Sequence, residues 1–165
     1  MISEDIINLK TTELVNKIKN GDVTSKQLCE VYINRIEKFE KKVCAWAFFD
    51  KKKLLEKAEE ADTYRSSGKS LGPLHGIPVA LKDIIGTYDM PTECGTKLRK
   101  GKSLSQDSEV ANLIKNSGAI LMGKTVTTEL AYFDPGKTKN PHDYSRTPGG
   151  SSSGSAAAVA AYMAP

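Results

Sequence analysis

The sequence is short of the residues that most often announce a function. Its 165 residues include two histidines, three cysteines and one tryptophan, and aromatic residues make up 7%. Cys29, Cys44 and Cys94 are odd in number and far apart, and no C-x-x-C occurs. That excludes a disulfide framework and a zinc knuckle, and a reducing cytoplasm suits the chain. No other spacing reads as a metal site. Arginine-rich tracts with interleaved aromatics are also missing. The 24 Lys+Arg and 20 Asp+Glu leave a net charge of +4. That charge is scattered through helical segments, so direct nucleic-acid binding has no support. The longest apolar stretch, 156–165, is alanine-rich and about half of a membrane span. The start, Met1-Ile2-Ser3-Glu4-Asp5, is acidic where a secretory leader is basic and then apolar.

What is present is ordinary for a folded chain. Hydrophobic residues make up 39% and charged residues 27%, in a length that suits one domain. Residues 1–68 read as a helical region. Leu14, Val15 and Ile18 form one apolar face before a stop at Asn20-Gly21. Thr24 and Gln27 form a capping box ahead of Leu28, Val31, Tyr32, Ile36 and Phe39, which recur at helical spacing to about residue 40. A short strand is expected over 43–49. Asp50 then caps a helix with Leu54, Leu55, Ala58 and Ala61 inward, and the lysines at 51–53 form a solvated face.

From Gly72 the pattern alternates. It predicts a strand over 77–81, a loop through 86–107, a helix over 109–117 capped by Ser108, and a strand over 119–122. A short helix is expected from Thr128, and an alanine-rich, wholly apolar helix over 156–162. Strand–helix–strand order implies parallel pairing, and unalternated apolar strands imply helices on both sheet faces. No internal repeat is visible.

Three segments are candidates for chemistry. Gly118-Ala119-Ile120-Leu121-Met122-Gly123-Lys124-Thr125 satisfies the phosphate-loop expression G-x-x-x-x-G-K-[ST]. Its four middle residues are the best strand former in the region, however. Their N–H groups belong to a sheet, and Gly123 and Lys124 read as a strand end. Gly149-Gly150-Ser151-Ser152-Ser153-Gly154-Ser155 precedes the buried helix; it reads either as a capping segment or as a loop offering hydroxyls and free N–H groups to a ligand. Lys82 closes the apolar run Gly76-Ile77-Pro78-Val79-Ala80-Leu81. Taken alone, such a lysine carries its charge to solvent along an apolar stem. A lysine held out of water is instead a usable base, because burial disfavours the ammonium. Asp83 beside it either pairs with it or turns outward.

Together these segments resemble the amidase signature family. The matching features are Leu74-His75-Gly76-Ile77-Pro78-Val79-Ala80-Leu81-Lys82-Asp83, then Gly118-Ala119 with Gly123-Lys124-Thr125 and Thr128-Glu129-Leu130-Ala131. Lys139-Asn140-Pro141-His142 and Arg146-Thr147-Pro148-Gly149-Gly150-Ser151-Ser152-Ser153-Gly154-Ser155-Ala156 complete them. The resemblance runs from residue 8 onward. It implies an incomplete α/β fold, with a helical region at 1–68 and, over 69–165, the first part of a mixed, largely parallel sheet covered by helices. It also implies amide hydrolysis by a Ser–Ser–Lys triad, with Lys82 as the triad lysine and Ser151 as the bridging serine behind a cis Gly150–Ser151 bond. Gly149, Gly150, Ser152 and Ser153 become the supporting loop. Family motifs more often carry glycine where Ser153 stands.

That chemistry requires neither histidine nor cofactor, so His75 and His142 are expected to be structural. The family's acylating serine lies beyond the bridging serine, after a further strand, in a Gly-Gly-Ser turn. No Gly-Gly-Ser follows Ser151 here. The chain is thus expected to be an N-terminal part, inactive alone, of a cytoplasmic amidase acting on a small-molecule amide. A glutamine-hydrolysing subunit of a tRNA-dependent amidotransferase, with partner subunits, fits the same motifs. A non-catalytic interaction module and, more distantly, a nucleotide-binding protein are the rivals from other classes.

Overall fold

The computed structural model describes residues 4–165. The first helix, α1 (Thr11–Asn20), buries Leu14, Val15 and Ile18 and stops at Gly21, whose φ of 81° is a left-handed geometry that glycine adopts without cost. Helix α2 (Ser25–Val43) begins on the capping box: Gln27 N–H donates to Thr24 Oγ1 and Thr24 N–H to Gln27 Oε1, both at 3.0 Å. It runs three residues past the expected end because Val43 is fully buried and belongs to its inward face. Cys44 then adopts a left-handed conformation and ends the helix. The strand that follows is correspondingly short, β1 (Trp46–Phe49).

Asp50 accepts from Lys53 N–H at 3.0 Å to start α3 (Lys51–Ser66), with Leu54 and Ala58 buried. Strand β2 (Pro78–Lys82), helix α4 (Glu109–Asn116) and strand β3 (Ile120–Thr125) form the alternating unit, and α5 (Ser153–Ala160) is the alanine-rich helix. The sheet has three strands in the order β1-β3-β2, with β2 parallel and β1 antiparallel to the central β3. The mixed sheet and its helices have the expected class of architecture.

One apolar core joins residues on both sides of Gly68: Leu28, Tyr32 and Ile36 of α2 with Ile77, Met122, Ala157 and Ala158. Helix α2 also holds the end of α5, since Arg35 Nε donates to Ala161 O at 2.8 Å. Two further details differ from expectation. Gly123 and Lys124 lie inside β3 rather than closing it, because a central strand is paired on both sides: Gly123 stands opposite Phe49 and Ala80, and Lys124 opposite Phe48 and Leu81. Beyond Thr128 there is a 3-10 turn, Glu129–Ala131, and no α-helix. Leu130 N–H leaves the turn for Cys94 O, and Thr128 N–H, just before it, goes to Ser151 O. Among the described residues, no helix is long and apolar enough to cross a membrane.

Candidate active site

Strand geometry sets the site. Paired positions of parallel strands project to the same face, and successive residues to opposite faces. Lys82 pairs with Thr125, so both leave the C-terminal edge of the sheet on one face. Helix α5 covers that face. There Lys82 Nζ lies 2.6 Å from Ser151 Oγ, and Thr125 Oγ1 lies 2.6 Å from Ser155 Oγ. Thr125 Oγ1 also donates to Leu81 O at 3.3 Å, so Ser155 is the donor in the hydroxyl pair. Lys82 is half-buried, with its amine bonded to Ser151 Oγ. The Gly150–Ser151 peptide bond is cis.

The loop around Ser151 is latched to the residues just after β3. Gly154 N–H donates to Val126 O at 2.9 Å, Ser153 Oγ to the same carbonyl at 3.4 Å, and Thr128 N–H to Ser151 O at 3.1 Å. Val126 N–H in turn donates to Ala45 O at 2.8 Å, tying the latch to the segment before β1. A Cβ on Gly154 would stand 2.3 Å from both Ala45 O and Val126 N, so this position admits only glycine. Position 153 has a side chain that fits, and Ser153 is buried against Val126. The departure from the commoner family motif therefore falls at the place in the loop that has room for it.

The remaining loop residues divide by contact. Gly149 has φ of 86° and its N–H donates to Thr147 Oγ1 at 3.2 Å. Gly150 passes Thr128 so closely that a Cβ would lie 2.7 Å from its methyl group. Ser152 occupies the N-cap position of α5, yet its side chain makes no capping bond. Capping therefore does not account for its hydroxyl.

Asp83 takes neither of the two courses open to it in the sequence. Its N–H still bonds Thr125 O at 2.9 Å, so strand alternation continues one residue past β2 and aims the carboxylate at the opposite face. There it meets Lys124, 3.5 Å away; Asp83 is 2% exposed and Lys124 is wholly buried. Lys124 Nζ also donates to Thr92 Oγ1 at 2.8 Å and to Pro91 O at 3.2 Å. Burial pushes the Asp83 carboxyl above the usual carboxylate range, opposed by Lys124 and by the Glu93 N–H. Burial likewise pulls the Lys124 amine below its usual range, opposed by Asp83.

His75 is buried with Nε2 2.9 Å from Ala61 O, and His142 is exposed. A cavity of about 730 Å³ opens between α3, the start of β3 and the turn at 86–90, and neither Lys82 nor Ser151 lines it. Among the described residues, no group of three His, Cys, Asp or Glu side chains is placed to hold a metal ion.

Known proteins share both this sequence and this scaffold. Residues 27–165 match the family model described as Amidase. The chain is 39% identical over 167 aligned residues to a glutamyl-tRNA(Gln) amidotransferase subunit of Streptomyces coelicolor, covering 98% of this chain and 34% of that protein. The subunit of the same name from Lachnospira eligens is also 39% identical, over 94% of this chain and 34% of that one. The peptide amidase of Stenotrophomonas maltophilia superposes with a TM-score of 0.90 at 32% identity, over 98% of this chain and 36% of that one. A fatty acid amide hydrolase superposes with a TM-score of 0.90 at 27% identity, over 99% of this chain and 30% of that one. The chain thus spans about a third of the length of the curated relatives it matches.

Proposed function

The chain belongs to the amidase family, and on that premise we propose that Lys82 and Ser151 are the proton relay of an amide-cleaving site. The observation that carries this reading is the 2.6 Å contact between Lys82 Nζ and Ser151 Oγ, made between residues 69 apart in sequence. A serine hydroxyl attacks an amide carbonyl only when a base removes its proton. In the relay, the neutral amine of Lys82 takes the Ser151 proton while Ser151 Oγ takes the proton of the attacking serine. The new C–O bond forms and the carbonyl electrons move onto oxygen. As the C–N bond breaks, the proton returns through Ser151 to the departing amine, and Lys82 is neutral again. Water then releases the acyl group by the same two transfers.

The attacking serine of this family stands in a Gly-Gly-Ser turn beyond the bridging serine, and no such triplet follows Ser151 here. These 165 residues alone are therefore proposed to hold the relay without the nucleophile, and to be inactive. The substrate class favoured is glutamine, with ammonia passed to a partner subunit. What supports it is the 39% identity to proteins named as amidotransferase subunits, against 32% for the peptide amidase. A reducing, cytoplasmic setting is proposed on the three unpaired cysteines.

The test exchanges these residues for the matched segment of the Streptomyces coelicolor protein. The hybrid is expected to release ammonia from glutamine, and the 165-residue protein to turn over neither glutamine nor a peptide amide. Turnover by the 165 residues that disappears with Ser152→Ala would overturn the reading that they lack the nucleophile. A hybrid that cleaves peptide amides and leaves glutamine intact would overturn the substrate class.

A further inference from the structure

We propose that Asp83 and Lys124 are positioning residues: from beneath the sheet they pin the 92–95 loop, and through it the turn that holds Ser151 against Lys82. This rests on the relay reading above and adds to it a support on the opposite sheet face.

The connection can be followed bond by bond. Asp83 Oδ1 accepts from Glu93 N–H at 3.2 Å, and its main-chain carbonyl accepts from Cys94 N–H at 3.0 Å. Lys124 Nζ holds the same loop through Thr92 Oγ1 and Pro91 O. Two buried charges therefore clamp three consecutive residues, 91–93, against the C-terminal edge of the sheet, and the Asp83 main chain adds Cys94. The loop passes the restraint on. Cys94 O accepts from Leu130 N–H at 2.8 Å, and Gly95, with φ of 69°, runs so close that a Cβ would lie 2.8 Å from Thr127 O and 3.0 Å from Thr128 O. Thr128 N–H then donates to Ser151 O, and Thr128 packs on Gly150.

Lys82 and Asp83 are adjacent in the chain and take opposite faces, so one strand end presents the amine above while anchoring the serine's support below. A buried ion pair is a weak source of net stability, because desolvating two charges offsets most of their attraction. Its fixed geometry is its distinctive contribution here. The loop is also tied to the 99–102 turn, through Thr92 N–H to Lys102 O at 2.8 Å and Gly101 N–H to Glu93 Oε1 at 2.7 Å, but Asp83 and Lys124 are the side chains that bind it to the strand ends.

The test compares the 165-residue protein with the double variant Asp83→Asn/Lys124→Met, which removes both charges and keeps their approximate shapes. Amide hydrogen exchange by NMR reads the clamp. Cys94, Leu130 and Thr128 are expected to exchange at least ten-fold faster, beyond any change at Ile33 and Ile36 in α2. Acylation of individual lysines by acetic anhydride, read by mass spectrometry, reports the far side: Lys82 labelling is expected to rise several-fold toward that of exposed Lys41. Uniform acceleration at all amides, with Lys82 labelling unchanged, would make the pair merely stabilising and overturn the proposal. If the double variant fails to fold, Thr92→Val removes one acceptor of Lys124 and leaves both charges. It is expected to show the same local pattern at smaller amplitude, and a uniform response would again overturn the proposal. A Lys82 that already labels as fast as Lys41 in the unaltered chain would instead defeat the relay reading, while the exchange data still decide the clamp.

Discussion

Gly154→Ala is expected to lower stability by about 3 kcal/mol or more, and the melting temperature by about 6–12 °C. The new methyl would meet Ala45 O and Val126 N at 2.3 Å, and both are backbone atoms that no rotamer change can move. Relief requires α5 to retreat. That breaks the bond from Gly154 N–H to Val126 O and draws Ala157 and Ala158 out of the core. Ser153→Ala, one residue away, is the matched control. It removes a long hydrogen bond to a carbonyl that Gly154 N–H still satisfies, so a cost below about 1 kcal/mol is expected. Thermal melts of the two variants check the pair. Equal losses would show that the Gly154 contact is not the restraint described.

The second large effect comes from halving the Asp83–Lys124 pair. Removing either partner leaves an uncompensated buried charge, a loss of about 3–5 kcal/mol near neutral pH. The two single variants are expected to depend on pH in opposite directions. In Lys124→Met the carboxyl remains, and burial already holds it above the usual carboxylate range. As pH falls through that raised range it becomes neutral, while in the unaltered protein the same protonation leaves Lys124 unpaired. The stability difference between the two proteins therefore shrinks in acid. In Asp83→Asn the amine remains, already pulled below its usual range, with Asp89 and Cys94 as its other charged or ionisable neighbours. It loses its proton as pH rises through that lowered range, while the unaltered protein is then left with an unpaired carboxylate. The difference shrinks in alkali. Urea denaturation across the pH range reads both slopes, and parallel slopes would contradict the buried pair.

Local chemistry makes much of this fold legible. The Thr24–Gln27 box, the Asp50 and Ser108 caps and the Gly21 stop act within a few residues, and each lies where the sequence indicates. The phosphate-loop expression is dismissed on the same ground, since the N–H groups it needs are spent in β3. Elements whose limits depend on distant partners are less readable. Val43 looks like a strand residue until α2 is seen to need it for its inward face. Gly123 and Lys124 look like punctuation until β3 proves to be the central strand.

The site shows the same division. Lys82 and Ser151 are within reach of the sequence because each sits in a distinctive segment. The Val126–Thr128 latch is not, because it uses main-chain groups that leave no mark on residue type. Lys124 is hidden for another reason. A buried lysine is credible only with its counter-charge, and the strand alternation that aims Asp83 at it becomes evident only once β2 and β3 are in register. The signal available is the adjacency of Lys82 and Asp83 at the end of an apolar strand, which forces the two side chains apart.

The central claim is that Lys82 and Ser151 act as one unit. A double-mutant cycle on glutamine hydrolysis by the hybrid protein tests it most directly, comparing Lys82→Ala, Ser151→Ala and the two together. Each single change is expected to lower kcat by about 10²–10⁴-fold, and the double variant by no more than the worse single one, since a broken relay cannot be broken twice. Losses that multiply, or a Lys82→Ala hybrid that keeps its rate, would contradict it.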